Sequence, residues 1–266
     1  MEIKDPIFIL NPARSGSTIF YNLFTRHKDT AFPEHYIDKY WESLLMINFV
    51  PMLVKIQQWR YKQRSLPHAG IFWRKYHGSN QVLTEKDVKK DEVKFIHKII
   101  RTQLNAFNAK RFVSRAHDSC LRVEYLNKIF PDAYFVVLRR EPKAVVCSEY
   151  TLMKKDWDSI YDKNTYGNVI EHFKTSESKL ETCINYYKFY INTMNESLRS
   201  CNRKVEVHYE NFVKDPRQEL KKLFNFVKLD WYDEFEESVP EVLELKNNEK
   251  WKKLPENEKS ILERAF

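Results

Sequence analysis

The stretch from Pro6 to His27 constrains the fold more than any other part of this chain. It begins with an apolar run at Ile7 to Leu10, passes through a short turn at 11–16, and ends in a helical pattern from Ser17 to His27. The apolar run is typical of a buried strand. Backbone N–H groups and the positive end of the helix dipole then meet at one point, which favours a phosphate-like anion. An ordinary strand-turn-helix corner is the alternative.

The turn differs in two positions from the nucleotide-binding pattern G-x-x-x-x-G-K-[ST]. It keeps Gly16 and Thr18, but Asn11 stands at the first glycine and Ser17 at the lysine. The cation expected in such a loop is Arg14, two positions before Gly16. Since the chain has only 4 glycines in 266 residues, the glycine in this turn is a specific feature.

Length and composition predict one globular domain over residues 1–266. The chain is long enough for a substantial core, and no Gly/Ser-rich or Pro-rich linker divides it. A hydrophobic share of 42% excludes a disordered tail. The net charge of +8 suits an anionic small ligand, although nucleic acid or an acidic membrane surface fits the charge equally well.

Cysteine usage and the N-terminus indicate a cytoplasmic protein. The four cysteines lie far apart in the sequence, at Cys120, Cys147, Cys183 and Cys201. None forms a C-x-x-C pair, so reduced thiols are expected rather than a zinc site or a disulfide framework. The first strand follows Met1 to Asp5 at once, which leaves no room for a signal peptide. The most apolar stretch, Leu44 to Val54, is too short to span a bilayer, so no transmembrane segment is expected.

The region after the first helix is predicted to lie near the ligand. Residues 28–38 are predicted to form a loop that folds back to the carboxyl edge of an open sheet, where ligands bind, and the loop carries Glu34 and His35. Both are placed where an acid or a base matters, unless they are solvated loop residues. Residues from about 40 to 110 show mainly helical periodicity. They form a candidate acceptor lid or, alternatively, ordinary packing helices.

Strands alternate with helices along the rest of the chain. Ala133 to Leu138 is a continuous apolar run typical of a buried parallel strand. Alternation of this kind favours right-handed crossovers and a parallel sheet. The predicted fold is therefore α/β, with a P-loop-type parallel sheet flanked by helices and a helical insertion after the first βα unit. Further strands are predicted at 111–115 and 205–208, and further helices at 121–130, from 142 onward, at 176–200 and at 215–227.

Three stretches carry motifs that occur together in one enzyme family. Pro12 to Thr18 reads P-A-R-S-G-S-T, Val137 to Ser148 holds an arginine and a serine eight residues apart, and Val207 to Pro216 carries a tyrosine after a late strand. In this order they resemble the 5'-phosphosulfate loop, the 3'-phosphate motif and the adenine-region segment of sulfotransferases that use 3'-phosphoadenosine 5'-phosphosulfate (PAPS). The resemblance covers about residues 6–228.

The resemblance implies transfer of a sulfuryl group from PAPS to a hydroxyl or amine of a small-molecule, lipid or glycan acceptor. A sulfuryl group in flight spreads negative charge over its oxygens, so the site needs fixed donors and a cation. Arg14 and the loop dipoles are suited to this, and no metal is required. The residues implied to bind the cofactor are Arg14, Ser15, Gly16, Ser17, Thr18, Arg140, Ser148 and Tyr209.

Two residues are candidates for the base that removes the acceptor proton. The sequence Arg115-Ala116-His117 resembles the Lys-Thr-His of cytosolic sulfotransferases, whose histidine has this role. An imidazole with a reference pKa of about 6.5 suits the task. Carbohydrate-type relatives instead use a glutamate after the first helix, where this chain has Glu34. His117 is favoured, Glu34 is the alternative, and a third possibility is that neither acts.

The chain departs from the family pattern in ways that leave questions open. Arg115 replaces lysine, Ala116 replaces a small hydroxyl residue, and no glycine-containing basic motif is visible near the C-terminus. Residues 246–253 around Trp251 are a weak substitute, and a solvated charged helix fits them better. Aromatic residues that suggest an apolar or sugar-stacking acceptor pocket, or else belong to the core, are Trp41, Trp59, Trp73 and Tyr76.

Two rival functions fit parts of the sequence. A P-loop small-molecule kinase would need an aspartate after a strand to hold magnesium, but the strand at 133–138 ends in arginines. A basic nucleic-acid-binding protein would use its aromatic residues for stacking. Its basic residues would form a stripe, whereas here they are interleaved with acids, so no nucleic acid is expected as a partner. The oligomeric state stays open.

Overall fold

One parallel sheet forms the centre of the structure. The computed structural model describes residues 2–32, 49, 52, 76–77, 81–154, 176, 178–244 and 248–266. Within these ranges the strands are β1 (Ile7–Leu10), β2 (Thr30–Ala31), β3 (Arg111–Ser114), β4 (Tyr134–Arg139) and β5 (Lys204–His208). Their order is β2-β3-β1-β4-β5, and every neighbouring pair is parallel. The predicted α/β fold with a parallel sheet is confirmed.

Helices follow most of the strands. Those in the described ranges are α1 (Ser17–Phe24), α2 (Lys90–Phe107), α3 (Val123–Ile129), α4 (Pro142–Met153), α5 (Lys179–Ser197), α6 (Tyr209–Lys214), α7 (Pro216–Val227), α8 (Asp233–Ser238) and α9 (Glu256–Ala265). Short 3-10 turns lie at Glu85–Asp87, His117–Leu121, Leu198–Ser200 and Lys250–Lys253. The observed α1, α3, α4, α5 and α7 agree with the predicted helices to within a few residues, whereas α6 was not predicted.

Local sequence signals explain where several helices begin and end. Pro142 opens α4 at its first turn, where a missing backbone N–H costs nothing. The side chains of Ser178 and Asp215 cap α5 and α7 by accepting backbone N–H groups. Asn108 and Lys228 end α2 and α7 in the left-handed conformation, with φ of 48° and 57°.

The chain adds strands first on one side of the central strand β1 and then on the other. Ile7 of β1 pairs with Val113 of β3 on one side and with Tyr134 of β4 on the other. The chain visits β2 and β3 before it crosses to β4 and β5. Ligands of open α/β sheets bind at such a switch point, outside the carboxyl ends of the strands. This topology puts the loop after Leu10 at the expected ligand position.

The predicted loop at 28–38 needs correction. Thr30 and Ala31 form β2 and pair with Arg111 and Phe112 of β3. A two-residue strand has no alternation of its own, so its pairing depends on β3 rather than on a local pattern. Residues Glu34 and His35, together with most of the predicted insertion at about 40–110, lie outside the described residues, and α2 is the main described part of that insertion.

The cysteines and the helices bear on the expectations of reduced thiols and of no transmembrane segment. The four cysteines are all buried and unbonded to one another. Among the helices of the described ranges, none is long and apolar enough to cross a membrane.

His27 is a buried histidine that holds the segment after α7 against α1. Its Nδ1 accepts the backbone N–H of Asp29 at 3.1 Å, so Nε2 carries the proton and donates to the carbonyl of Asp230 at 2.8 Å. The ring packs between Phe224, Tyr232 and Phe235. Burial lowers the pKa of His27, which favours the neutral ring.

We expect this contact to weaken in acid. A histidine whose pKa is lowered on folding stabilises fully above its unfolded pKa of about 6.5, and the contribution is lost as the pH falls below that value. In melting curves, the Tm advantage of the wild type over His27→Gln should therefore shrink between pH 7 and pH 5. The control is His208→Gln at an exposed histidine. A constant difference between wild type and His27→Gln would contradict this role of His27.

Candidate functional site

The loop between β1 and α1 has an unusual backbone. Arg14 and Gly16 both adopt positive φ, at 66° and 80°. The Ser15 hydroxyl donates to the carbonyl of Pro12 at 2.8 Å and closes the turn from inside. Gly16 is the N-cap of α1 and brings no side chain to the first N–H groups of that helix. These groups and the helix dipole therefore face the loop as a place for an anion.

Gly16 is required at its position for two reasons. Its φ lies in the left-handed region, which side chains disfavour. In addition, a Cβ atom built on Gly16 would lie 2.2 Å from Cε2 of Tyr209. Tyr209 begins α6, its side chain is only 1% exposed, and it supports the loop from beneath. The predicted contact between Tyr209 and the adenine region stays a prediction.

The predicted 3'-phosphate residues lie beside this loop. Arg140 follows β4, and its Nη1 donates to the carbonyl of Arg14 at 2.9 Å. Ser148 lies on α4, and its Oγ accepts a hydrogen bond from Nε of Arg14 at 3.1 Å. Arg14 thus joins Arg140 to Ser148 through its main chain and its side chain. The eight-residue spacing in the sequence becomes a single polar cluster at the carboxyl ends of β1 and β4.

The C-terminal segment orients Arg140. Nε and Nη2 of Arg140 donate to Oδ1 of Asn248 at 2.9 and 2.7 Å. The amide of Asn248 in turn donates to Oε1 of Glu210 at 2.6 Å, and the same oxygen accepts the backbone N–H of Glu141 at 3.0 Å. The guanidinium of Arg140 also lies 4.7 Å from the centre of the Tyr209 ring. Sequence reasoning missed Asn248, because a single polar residue in a charged segment gives no signal.

A cleft of about 900 Å³ opens at the carboxyl ends of β4 and β5. Its walls combine cations, carboxylates and aromatic rings. One wall is the turn at Lys250–Lys253, where the Trp251 ring lies 4.7 Å from Nζ of Lys143. Trp251 is therefore a wall residue of the cleft, and it lies in a short 3-10 turn whose lysines Lys252 and Lys253 are exposed. The other lining residues include Arg139, Arg140, Tyr187, Glu206, His208, Glu210, Asn248 and Lys252.

Arg115 lies beneath the start of α1. It is 2% exposed, and its Nη1 donates to Ser17 Oγ and Thr18 Oγ1, both at 2.9 Å. Burial lowers the pKa of Arg115 to about 10, so the guanidinium stays charged at neutral pH. Because both hydroxyl oxygens accept from Arg115, their own protons are directed elsewhere. The arginine that departs from the family's lysine thus orients two predicted cofactor ligands, which the sequence did not reveal.

His117 lies next to the first residue of the loop. It opens the 3-10 turn after β3, and its Nδ1 lies 3.3 Å from Nδ2 and 3.4 Å from the carbonyl oxygen of Asn11. The following residue, Asp118, forms an ion pair with Arg122 at 3.6 Å. One of the two predicted base candidates is therefore adjacent to the anion loop. Glu34, the other candidate, lies outside the described residues.

The structure brings the described site residues together at the carboxyl end of β1. The loop with the start of α1, His117, the Arg140–Ser148 pair and Tyr209 come from four different parts of the chain. Their roles in binding and catalysis stay predictions. The predicted site residues that meet here are Arg14, Ser15, Gly16, Ser17, Thr18, His117, Arg140, Ser148 and Tyr209.

Comparison with known proteins identifies one family. A model described as "Sulfotransferase family" matches residues 6–233 of this chain. No curated protein sequence is significantly similar to it.

Three solved structures share the fold at low sequence identity. The sulfotransferase STF9 from Mycobacterium avium has 12% identity and a TM-score of 0.59, covering 89% of this chain and 67% of its own. STF1 from Mycobacterium tuberculosis H37Rv has 14% identity and a TM-score of 0.59, with 89% and 71% covered. The sulfotransferase domain of the olefin synthase from Synechococcus PCC 7002 has 16% identity and a TM-score of 0.53, with 100% and 96% covered.

Proposed function

The chain belongs to the sulfotransferase family, and from that premise we propose that it takes the sulfuryl group from PAPS and passes it to a hydroxyl or amine. The observation that carries this proposal is the cluster of Arg14, Arg140 and Ser148 beside the open N-terminus of α1. A donor with anionic groups on both the 5' and the 3' oxygen of its ribose needs two anion sites at a fixed separation. The loop and the Arg140–Ser148 pair supply two such sites, and Arg14 bridges them.

Each anion site has its own chemistry. At the loop, backbone N–H groups and the hydroxyls of Ser17 and Thr18 would hold the 5'-phosphosulfate. At the second site, the guanidinium of Arg140 and the hydroxyl of Ser148 would hold the 3'-phosphate, because a planar cation with a hydroxyl suits phosphate oxygens. The adenosine would extend toward the cleft between β4, β5 and Trp251. The network through Asn248 and Glu210 keeps Arg140 in place before the ligand arrives.

The residues around the loop fit an in-line displacement. Bound PAPS would supply the sulfuryl group, and its S–O bond to the phosphate would break as the acceptor oxygen or nitrogen bonds to sulfur. Arg14 would neutralise the charge that builds on the sulfuryl and bridging oxygens. Ser17 and Thr18, oriented by Arg115, would donate to the same oxygens. His117 is the favoured base for the acceptor proton, with Glu34 as the alternative, and the proposal invokes no metal.

The acceptor is proposed only as a class. A small molecule, a lipid or a glycan would each present a hydroxyl or amine to the loop. Of the aromatic residues predicted to line an acceptor pocket, Trp41, Trp59 and Trp73 lie outside the described residues. Tyr76 packs edge-on against Phe95 of α2, with ring centres 5.8 Å apart. A screen of sulfate transfer across phenols, sterols, glycans and lipids would identify the acceptor.

The donor assignment predicts a specific thermal shift. Adenosine 3',5'-bisphosphate at about one hundred times its Kd should stabilise the protein by about 2.7 kcal/mol, which is a Tm rise of roughly 5–10 °C. ATP with magnesium should give a much smaller rise, because it has no 3'-phosphate. Arg140→Ala should remove most of the rise with the bisphosphate.

Controls separate the two parts of this prediction. Arg199→Ala removes an exposed arginine remote from the cleft and should keep the full shift. Adenosine 5'-phosphosulfate, which lacks the 3'-phosphate, should lose much less affinity than the bisphosphate when Arg140 is replaced with alanine. A full bisphosphate shift in Arg140→Ala would refute the 3'-phosphate pocket. Stabilisation of the wild type by ATP with magnesium alone would favour the kinase, and no shift with either nucleotide would refute the donor.

A further inference from the structure

We propose that Asn11 is a positioning residue that sets which ring nitrogen of His117 carries a proton. Asn11 directly follows β1 and is fully buried, and His117 follows the neighbouring strand β3. The two strands are parallel, so their carboxyl ends bring these residues into contact. The inference deepens the proposed function, and its catalytic consequence rests on the proposed role of His117 as base.

The orientation of the Asn11 amide is fixed by its own loop. Its Nδ2 lies 2.9 Å from the carbonyl oxygen of Pro12. A carbonyl oxygen only accepts hydrogen bonds, so the atom that faces it must be the NH₂ group; the flipped amide would put two oxygens 2.9 Å apart. One N–H of Asn11 therefore binds Pro12, and the second is directed at Nδ1 of His117, 3.3 Å away.

Asn11 offers Nδ1 of His117 two partners with opposite requirements. If the side-chain amide donates to Nδ1, that nitrogen keeps its lone pair and the proton of the neutral ring resides on Nε2. If Nδ1 carries the proton, it donates to the main-chain carbonyl of Asn11 at 3.4 Å, and Nε2 has the lone pair that a base needs. Because Pro12 holds the amide in its donor orientation 3.3 Å from Nδ1, we place the proton of the resting ring on Nε2.

The consequence for catalysis is that the resting His117 ring does not have the tautomer that accepts a proton at Nε2. To accept a proton at Nε2, the ring must adopt the tautomer that the Asn11 carbonyl supports and the Asn11 amide opposes. The amide also disfavours the imidazolium, in which both nitrogens carry protons. Other ionisable groups near this turn are Arg115 before it, Asp118 and Cys120 within it, Arg122 directly after it, and Tyr190 on the packed helix α5. The two contacts with Nδ1 described here both come from Asn11.

The direct test is the tautomer of His117 by nitrogen NMR of the imidazoles in the unliganded protein, with the signal assigned by its loss in His117→Gln. In the wild type at pH 8, Nδ1 should bear a lone pair and Nε2 a proton. In Asn11→Leu, which keeps the carbonyl but removes the amide, the proton should move to Nδ1. Asn11→Asp, whose carboxylate accepts from Nδ1, should give the same change. Asn105→Asp, an exposed asparagine on α2, is the charge control and should keep the wild-type tautomer.

The pH profile of sulfate transfer gives a second readout that a purely structural residue would not move. A carboxylate beside the ring raises a histidine pKa by about 1–3 units, so the acid limb of kcat/KM should shift to higher pH by that amount in Asn11→Asp. A changed tautomer with an unmoved limb would support the role of Asn11 and assign the base elsewhere. An unchanged tautomer in Asn11→Leu overturns the inference, whether or not PAPS proves to be the donor.

Discussion

Replacement of Gly16 with alanine is expected to abolish measurable donor binding and to lower the Tm by roughly 5–15 °C. The new Cβ would sit at φ 80° and 2.2 Å from the buried Tyr209 ring. Left-handed strain in a non-glycine residue costs about 1–3 kcal/mol, and overpacking of this kind costs about as much again. Since the loop N–H groups form the proposed anion site, displacement of the loop removes that site. Melting curves and calorimetry with adenosine 3',5'-bisphosphate measure the two effects.

A second variant separates the two causes. Gly16→Ala combined with Tyr209→Leu removes the clash but keeps the backbone strain, so it should recover part of the lost Tm relative to Gly16→Ala alone, after correction for Tyr209→Leu. Additive losses in the double variant would mean that Gly16 and Tyr209 do not contact each other as described. A wild-type Tm in Gly16→Ala would contradict both causes.

Loss of the His117 imidazole is expected to reduce kcat by about 10²–10⁴. A general base lowers the barrier only in the transition state, so the affinity for adenosine 3',5'-bisphosphate should change little in His117→Ala. Turnover at saturating donor, measured together with that affinity, checks the prediction.

The matched variant is Glu34→Ala. If His117 is the base, Glu34→Ala should retain kcat within a few fold of the wild type. The reverse pattern, with full turnover in His117→Ala and loss in Glu34→Ala, would assign the base to the glutamate. Equal and small effects in both would mean that neither side chain removes the proton.

Strong local patterns made much of the fold predictable. The run Phe135 to Leu138 is apolar throughout because β4 is buried on both faces, and Pro142 marks the start of α4 by its fixed φ. β2 was missed since two residues cannot show a period. The C-terminal helices α8 and α9 were missed because charged residues dominate their sequences, and each buries little more than one side chain, Phe235 or Leu262.

The features of the site also fall into those that a local sequence pattern marks and those that only long-range contacts create. The loop at 11–16 and the spacing of Arg140 and Ser148 are contiguous signals, so sequence reasoning could mark them. The contacts of Arg115 with Ser17, of Asn248 with Arg140 and of Tyr209 with Gly16 join residues about 100 or more positions apart. Pairings of this range depend on sheet order, which no local pattern contains.

Arg14 serves two neighbours at once, because its carbonyl holds Arg140 while its side chain holds Ser148. If the proposed donor binds, an anion in the loop and an anion at Arg140 and Ser148 therefore affect each other through Arg14. Binding at the two phosphate positions becomes thermodynamically linked. A nucleotide that fills only one of them therefore gains less than half of the binding free energy. Selectivity against the abundant cellular nucleotides that lack a 3'-phosphate then follows from this connection through Arg14, and no group that repels them is needed.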